Sequence, residues 1–559
     1  MNLFLVLAGC SIVFWFAYKF YGGRLARWLE LDPKKQTPSH EVNDGIDFVP
    51  TSQNYLLGQH LSAIAAAGPI IGPILAALWF GWLPAVLWIL FGAVLIGGVH
   101  DMTSLVASVR HRAKSIAEII RIYMSARTFK MFLLFLWLSL VYIITAFTDI
   151  TAGTFTAPDM GSEVASSSML YLGLALIMGT VMKWFRWPLW LSSSVFFPLV
   201  FVSIYLGKVI PLTLPTLAGM DLRSTWDVYL LAYCFVAAVI PVWLLLQPRG
   251  YLGGAFLVVT TFVSLACLVL GCFLGRFDIH YPAWIASGVS GTGTSFPLFP
   301  VLFTTIACGA CSGFHALVAS GTTAKQLDRE SDAKAVGYGG MLLEGMVALI
   351  ALSTLMVLTP KVVSELKDPN LIYASGIASF LNVLHIPKDF AMNFALLAFA
   401  TFVYDTLDVT TRLGRYLFEE LTGIRNRLSP YLGSLATLAL PLFFVTFKMT
   451  DPSGQPVAAW KVFWSVFGAS NQLLAGFVLF SVSIWLFRVG KKFIYALLPA
   501  FFMMAVAAAS LVYLIGSYVG GGLHQPNILL ISVTASVLLF LGAWLFVEGV
   551  SIFWRYRKR

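Results

Sequence analysis

Charge is what this sequence has least of. Asp, Glu, Lys and Arg make up 11% of its 559 residues, where soluble domains carry about 25%. That scarcity excludes an ordinary soluble enzyme, a disordered chain and a nucleic-acid-binding domain, each of which needs charge to stay in water or to meet phosphate. Cysteine is sparse too. Cys10, Cys234, Cys267, Cys272, Cys308 and Cys311 all sit in apolar runs, with no spaced extracellular framework, and read as reduced small hydrophobes. Leu7-Ala8-Gly9-Cys10 has the form of a lipoprotein cleavage box, but no positive charge precedes it and the apolar stretch before it is short, so an unmodified Cys10 is expected. There is no Walker A loop, no HExxH or Cys/His zinc spacing and no nucleophile–base pairing. ATP hydrolysis by this chain, a metal site, a cofactor and an enzyme activity are therefore not expected.

What is present is apolar surface. Hydrophobic residues reach 59%, aromatics 15%, and mean hydropathy is +0.84. A chain of this kind needs the lipid bilayer as solvent. A bilayer core takes about 20 apolar residues in helix. Fifteen stretches qualify, near 1–20, 53–80, 84–109, 131–152, 168–184, 188–207, 226–246, 251–274, 299–324, 338–358, 390–412, 428–447, 460–487, 493–516 and 527–553. With the amino terminus outside, 28 of the 36 Lys and Arg residues fall on inner segments. Cytoplasmic loops gather such residues, so the net charge of +10 needs no anionic partner. The expectation is an all-α integral membrane protein with its carboxyl terminus in the cytoplasm. Two further helices are expected not to span. Residues 114–127 carry Ile116, Ile119, Ile120 and Tyr123 on one face and should lie on the inner surface; 370–384 should form an outer counterpart.

A weak internal repeat is legible. Ala63–Pro69 resembles Ala316–Thr322, and Thr148–Thr151 resembles Leu407–Thr410, at nearly equal offsets. The spans concerned run in opposite senses. This suggests an inverted pair of five-helix units, 53–207 and 299–487, preceded by an extra helix (1–22), separated by two inserted helices (226–274) and followed by two more (493–553). Inverted pairs of this kind recur in secondary transporters. The first span of each unit carries helix breakers: Gly68, Pro69, Gly72 and Pro73 in one, Gly309 and Gly313 around Cys311 and Ser312 in the other. Unwound backbone at membrane depth is tolerated only where protein or a wet cavity satisfies it. These residues, with His315 and with Asn471 in a later span, are the candidate substrate site.

Ionisable groups inside spans are costly and so are candidates for function. Asp149 and Asp408 occupy repeat-equivalent places. Asp405 and Asp408 share a helical face, and Thr410 and Thr411 follow. Such a group can coordinate Na⁺ with hard oxygens or carry H⁺ on a carboxylate; alternatively, Asp408 pairs with Arg412 at i,i+4. His60, His100 and Asp101 are candidates for proton relay, although adjacent helical residues point about 100° apart, so His100 and Asp101 need not meet. Glu344 is expected to pair with Lys325 or Lys334. Asn471-Gln472 is either interhelical glue or a ligand contact.

Several segments resemble the carbon starvation protein A family of membrane transporters: Asp44–Thr51, Gly58–Pro73, Val99-His100-Asp101, Ala307–Thr323, Asp332–Gly340, Tyr404–Gly414 and Phe467–Gln472. The resemblance implies uptake of peptides or pyruvate across the cell (inner) membrane. It also implies a five-plus-five inverted-repeat, LeuT-like fold, with solute between the two broken helices and a cation near Asp408–Thr411. The function expected is ion-coupled import of a small carboxylate-bearing solute by alternating access, with Na⁺ or H⁺ as coupling ion. An uncoupled channel or facilitator is the alternative.

Overall fold

A computed structural model describes residues 3–44, 47–65, 67–123, 125–217, 219–241, 243–285, 296–424, 426–447, 449, 457–520 and 526–557. Gly45, Ile46, Ala66, Met124, Arg425, Lys448, Lys558 and Arg559, which entered the readings above, lie outside the described residues. Among the described residues nearly all structure is helix, with one isolated bridge between Thr51 and Leu327. Lipid offers backbone groups no partner, and a helix satisfies its own.

In chain order the main helices are α1 (Leu3–Leu29), α2 (Gln53–Ile64), α3 (Gly68–Phe80), α4 (Trp82–Arg110), α5 (Ile116–Tyr123), α6 (Ala126–Phe155), α7 (Gly161–Trp184), α8 (Leu189–Val209), α9 (Leu222–Val239) and α10 (Leu246–Phe273). They continue with α11 (Leu298–Thr305), α12 (314–326), α13 (Glu330–Met356), α14 (Pro369–Leu381), α15 (Lys388–Thr422), α16 (Ser429–Thr446), α17 (Ala459–Arg488), α18 (Ile494–Gly520) and α19 (Pro526–Arg557). Among the described residues thirteen are long and apolar enough to cross a membrane, or fourteen counting α2 and α3, bent by 49°, as one broken span. The stretch expected as the ninth span is divided: α11 and α12 are separated by the non-helical residues 306–313. The chain is a multi-pass, all-α membrane protein.

The first break lies earlier than the glycine–proline pairs suggest. α2 ends at Ile64, Ala65 leaves helical geometry (φ −80, ψ 68), and Gly68–Pro73 are already helical. Pro69 sits in the first turn of α3, where its missing N–H is no loss and its fixed φ suits the helix. Pro73 gives up one ladder bond, and Gly72 before it has no Cβ to clash with the ring. The two breaks then meet. A Cβ on Gly72 would lie 2.6 Å from the carbonyl oxygen of Thr305, and Gly68 abuts Cys308. Glycine at these two positions lets one interrupted backbone lie against the other.

α10, expected in an insertion, packs on α2 and α15, and α9, expected with it, on α6, α15 and α16. α7 and α8 form a hairpin lying against α10 and α15. α6 and α15 pack on each other and on α16. α5 buries Ile116, Ala117, Ile119 and Ile120 against α6 and α17 as well as α4. Its apolar face thus covers protein. α14 covers most of the expected 370–384 helix and packs on α15, α13 and α3. All six cysteines are unpaired and buried.

Because Thr305 is held by its own backbone, Gly72→Ala should destabilise the protein by about 1–3 kcal/mol. Gly58→Ala in α2, where a Cβ meets open space, should be neutral or slightly stabilising. Thermal unfolding in detergent checks both; equal midpoints for the two variants would contradict the close approach of the breaks.

Candidate functional site

A helix interrupted inside a bilayer exposes carbonyls on one side of the gap and amides on the other. At the second break, side chains take up most of the carbonyls. Trp464 Nε1 donates to Thr305 O (3.3 Å), Trp88 Nε1 to Ile306 O (3.2 Å), and Gln472 Nε2 to Phe303 O and Ala307 O (3.0 and 3.3 Å). On the amide side, the Phe314 N–H donates to Asn471 Oδ1 (3.0 Å), and Asn471 also bonds the Ser312 hydroxyl (3.1 Å). Among the described residues, the amides of Gly309, Ala310, Ser312 and Gly313 find no acceptor. Ser312 and Gly313 directly precede α12, where the helix dipole favours negative charge, whereas Gly309 and Ala310 lie in the turn closed by the Cys311 N–H on Ala307 O. The break is buried throughout, and Gly68, Pro69 and Gly72 pack beside it, with Pro73 next in α3. So Gly309, Cys311, Ser312, Gly313, Asn471 and the α3 residues do share one place.

Next to this junction lies a buried titratable cluster. His315 in α12 puts Nδ1 2.8 Å from Asp101 Oδ2 and Nε2 3.2 Å from Glu344 Oε2. His100 Nδ1 is 2.7 Å from Asp101 Oδ1, so these neighbours do meet. His60, whose Nδ1 is 2.9 Å from Thr323 Oγ1, abuts α13 at Gly340, one turn before Glu344. All five side chains are at most 1% exposed. Glu344 is therefore held by a histidine and not by the lysines expected: Lys325 pairs with Asp47 near the surface, and Lys334 lies over Tyr18. Three wide, π-helical turns (Ala93–Gly97, Ala319–Thr323 and Lys334–Gly339) border the cluster, a distortion that collects at functional sites.

The remaining carboxylates lie in two separate clusters. Arg249, in the first turn of α10, is buried against Asp408 and lies 3.2 Å from Asp405. Tyr233 donates to Asp408 (2.9 Å), and Tyr404 lies beneath the guanidinium at 5.2 Å. Asp408 does not take Arg412 as partner; Arg412 donates to the Ala237 and Ile240 carbonyls. Thr411 is bonded to Leu407 O of its own helix, and the Thr410 hydroxyl is buried without a partner. Asp149 accepts from Arg223 Nε (2.5 Å) and from the Trp460 amide (2.7 Å) at the start of α17. Beside it lies a pocket of about 10 Å³ lined by Ile71, Ile150, Arg223, Asp368, Asn370 and Trp460, room for about one water.

A sequence profile described as carbon starvation protein CstA matches residues 1–373 and 363–510. The chain belongs to the carbon starvation protein CstA family. Among its relatives, the peptide transporter CstA of Helicobacter pylori strain J99 is 34% identical, over 90% of this chain and 81% of its own length. The pyruvate/proton symporter BtsT of Escherichia coli K12 is 32% identical, over 85% and 76%. Among solved structures, a manganese transporter of Eremococcus coleocola aligns over 91% of this chain and 97% of its own, at 14% identity and a TM-score of 0.49.

In this CstA-family chain, the partner that sequence reading missed is Arg249. It stands in Gln247-Pro248-Arg249-Gly250 between two apolar runs and counts there as a loop cation. α10 begins at Leu246, with Pro248 in its first turn, and this carries Arg249 into the bundle. Trp88 and Trp464 were equally hidden, because an indole that serves a carbonyl looks like any other membrane aromatic. Removing one partner of a buried charge cluster costs about 3–5 kcal/mol, whereas replacing partners together costs far less. Arg249→Met should therefore lower the unfolding midpoint more than the double variant Arg249→Met/Asp408→Leu. A double variant no more stable than the single would show that Asp408 is not what Arg249 neutralises.

Proposed function

We propose that this chain is a proton-coupled secondary importer of a small carboxylate-bearing solute, a short peptide or pyruvate. It sits in the cell membrane with its amino terminus outside and works by alternating access. The observation that carries the reading is the junction of two interrupted spans, where buried amides of the α11–α12 break, those of Ser312 and Gly313 among them, have no acceptor among the described residues beside the glycine–proline start of α3. Amides at a helix start are a ready site for a carboxylate. Ser312 and Asn471 supply further polar contacts, and the apolar walls suit a small organic body.

Two inverted five-helix units, as proposed here, would provide for alternating access. Their proposed membership is α2–α3, α4, α6, α9 and α10 in the first, and α11–α12, α13, α15, α16 and α17 in the second, with the α7–α8 hairpin inserted into the first. The repeat-equivalent carboxylates behave equivalently in this division. Asp149 on α6 holds the first turn of α17, and Asp408 on α15 holds the first turn of α10. Each tie joins the third helix of one unit to the fifth of the other. We read the two ties as opposite locks of a rocking bundle.

The coupling ion is taken to be a proton because Asp408, the carboxylate first suited to Na⁺, already faces Arg249 and Tyr233. The named relatives, a peptide transporter and a pyruvate/proton symporter, fit both solute class and ion.

Purified protein in liposomes should accumulate pyruvate or a dipeptide above equilibrium when the outside is acid, and should do so without Na⁺. Flux that never exceeds the solute gradient would indicate an uncoupled facilitator instead. Asn471→Asp keeps the acceptor for Phe314 but adds a negative charge beside the free amides. It should weaken half-saturation about tenfold or more; unchanged half-saturation would remove the carboxylate from this junction.

A further inference from the structure

The cluster around His315 joins four separate pieces of the bundle: His60 from α2, His100 and Asp101 from α4, His315 from α12 and Glu344 from α13. Two of those pieces are halves of the interrupted spans. Other titratable groups close to it are Cys308 and Cys311 from the break and Tyr338 from α13, whose hydroxyl is bonded to Val94 O. α17 contributes the uncharged Asn471 and Gln472 to the same region. Among the described residues, no lysine or arginine contacts Asp101 or Glu344. The five side chains do not converge on a point as metal ligands do.

Charge neutrality therefore rests on protons. Two ionised carboxylates in a dry interior need two compensating positive charges, and the imidazoles are the groups at hand to carry them. His315 lies between both carboxylates and can serve as one cation. That leaves one proton to be held elsewhere. Glu344 is the group least provided for: it is fully buried, and neither oxygen has an aligned hydrogen-bond donor, although Oε2 stands 3.2 Å from His315 Nε2. Asp101, by contrast, is served by both His100 and His315.

We infer that Glu344, bridged by His315 to Asp101, is the site that takes up and releases the transported proton, and that this proton fastens the start of α12 to α13 and α4. With the proton on Glu344 and His315 positively charged, the cluster is neutral and α12 is held in place. When the proton leaves Glu344, one negative charge remains uncompensated, and the cluster is stable only if α12 shifts to admit water. His315 lies two residues beyond Gly313, so this movement reaches the amides proposed to hold the solute. The inference rests on the proposed import function for its meaning but not for its test.

Infrared difference spectra across a pH titration of the liposome-embedded protein, with no solute present, should show a protonated-carboxyl stretch that disappears on alkalinisation. Glu344→Gln should lack it; an unchanged band in that variant overturns the assignment. In transport, folded Glu344→Gln should keep pyruvate or dipeptide counterflow, which needs no net proton movement, and lose acid-driven accumulation. Glu344→Asp should restore part of it. Accumulation at the wild-type level in Glu344→Gln, or loss of counterflow together with accumulation, overturns the inference. Absence of counterflow in the wild type would count against the import function alone and leave the spectroscopic test standing.

Discussion

Every backbone amide and carbonyl at membrane depth must find a partner, and most of this structure follows from two places where helix does not provide one. Interrupting a span frees several groups at once. At the second break the cost is offset by donors placed for the purpose: Trp464 and Gln472 on α17 and Trp88 on α4. The carbonyl side is served and the amide side is only partly so, through Asn471 and Phe314. This asymmetry gives the break a polarity that matches a negatively charged solute. Close approach of the first break, through Gly68 and Gly72, then makes one junction out of two defects.

A second constraint, neutrality of buried charge, organises what surrounds the junction. The chain has few charged residues, and those it buries are grouped. Arg249 with Asp405 and Asp408, and Arg223 with Asp149, each contain a permanent cation and tie one helix to the start of another. Such groups suit locks that break and re-form as bodies. The His60, His100, Asp101, His315 and Glu344 group has only cations that come and go with protons, which suits coupling. Its bordering π-helical turns loosen three helices around it.

How far this was legible in the sequence depended on the range of the signal. Hydropathy is local, and all fifteen stretches fall on helices, the second and the ninth each in two pieces. The break near Gly68–Pro73 was legible as a region but displaced, because proline is as comfortable in a first helical turn as it is disruptive in a later one. The two internal matches, 63 with 316 and 149 with 408, leave the stretch from 161 to 298 unmatched and so say nothing of how its helices divide. Which charges would meet was beyond local reading. Glu344 lies 29 residues from His315 and 243 from Asp101, and Arg249 reads as a loop residue until the start of α10 is known.

The junction itself is tested most directly by determining the structure in lipid with pyruvate or a dipeptide bound. The expected result is solute with its carboxylate against the amides of residues 309–313, between the start of α12 and the Gly68–Pro69 turn of α3. Solute bound elsewhere, with the two breaks still closed on each other, would contradict it.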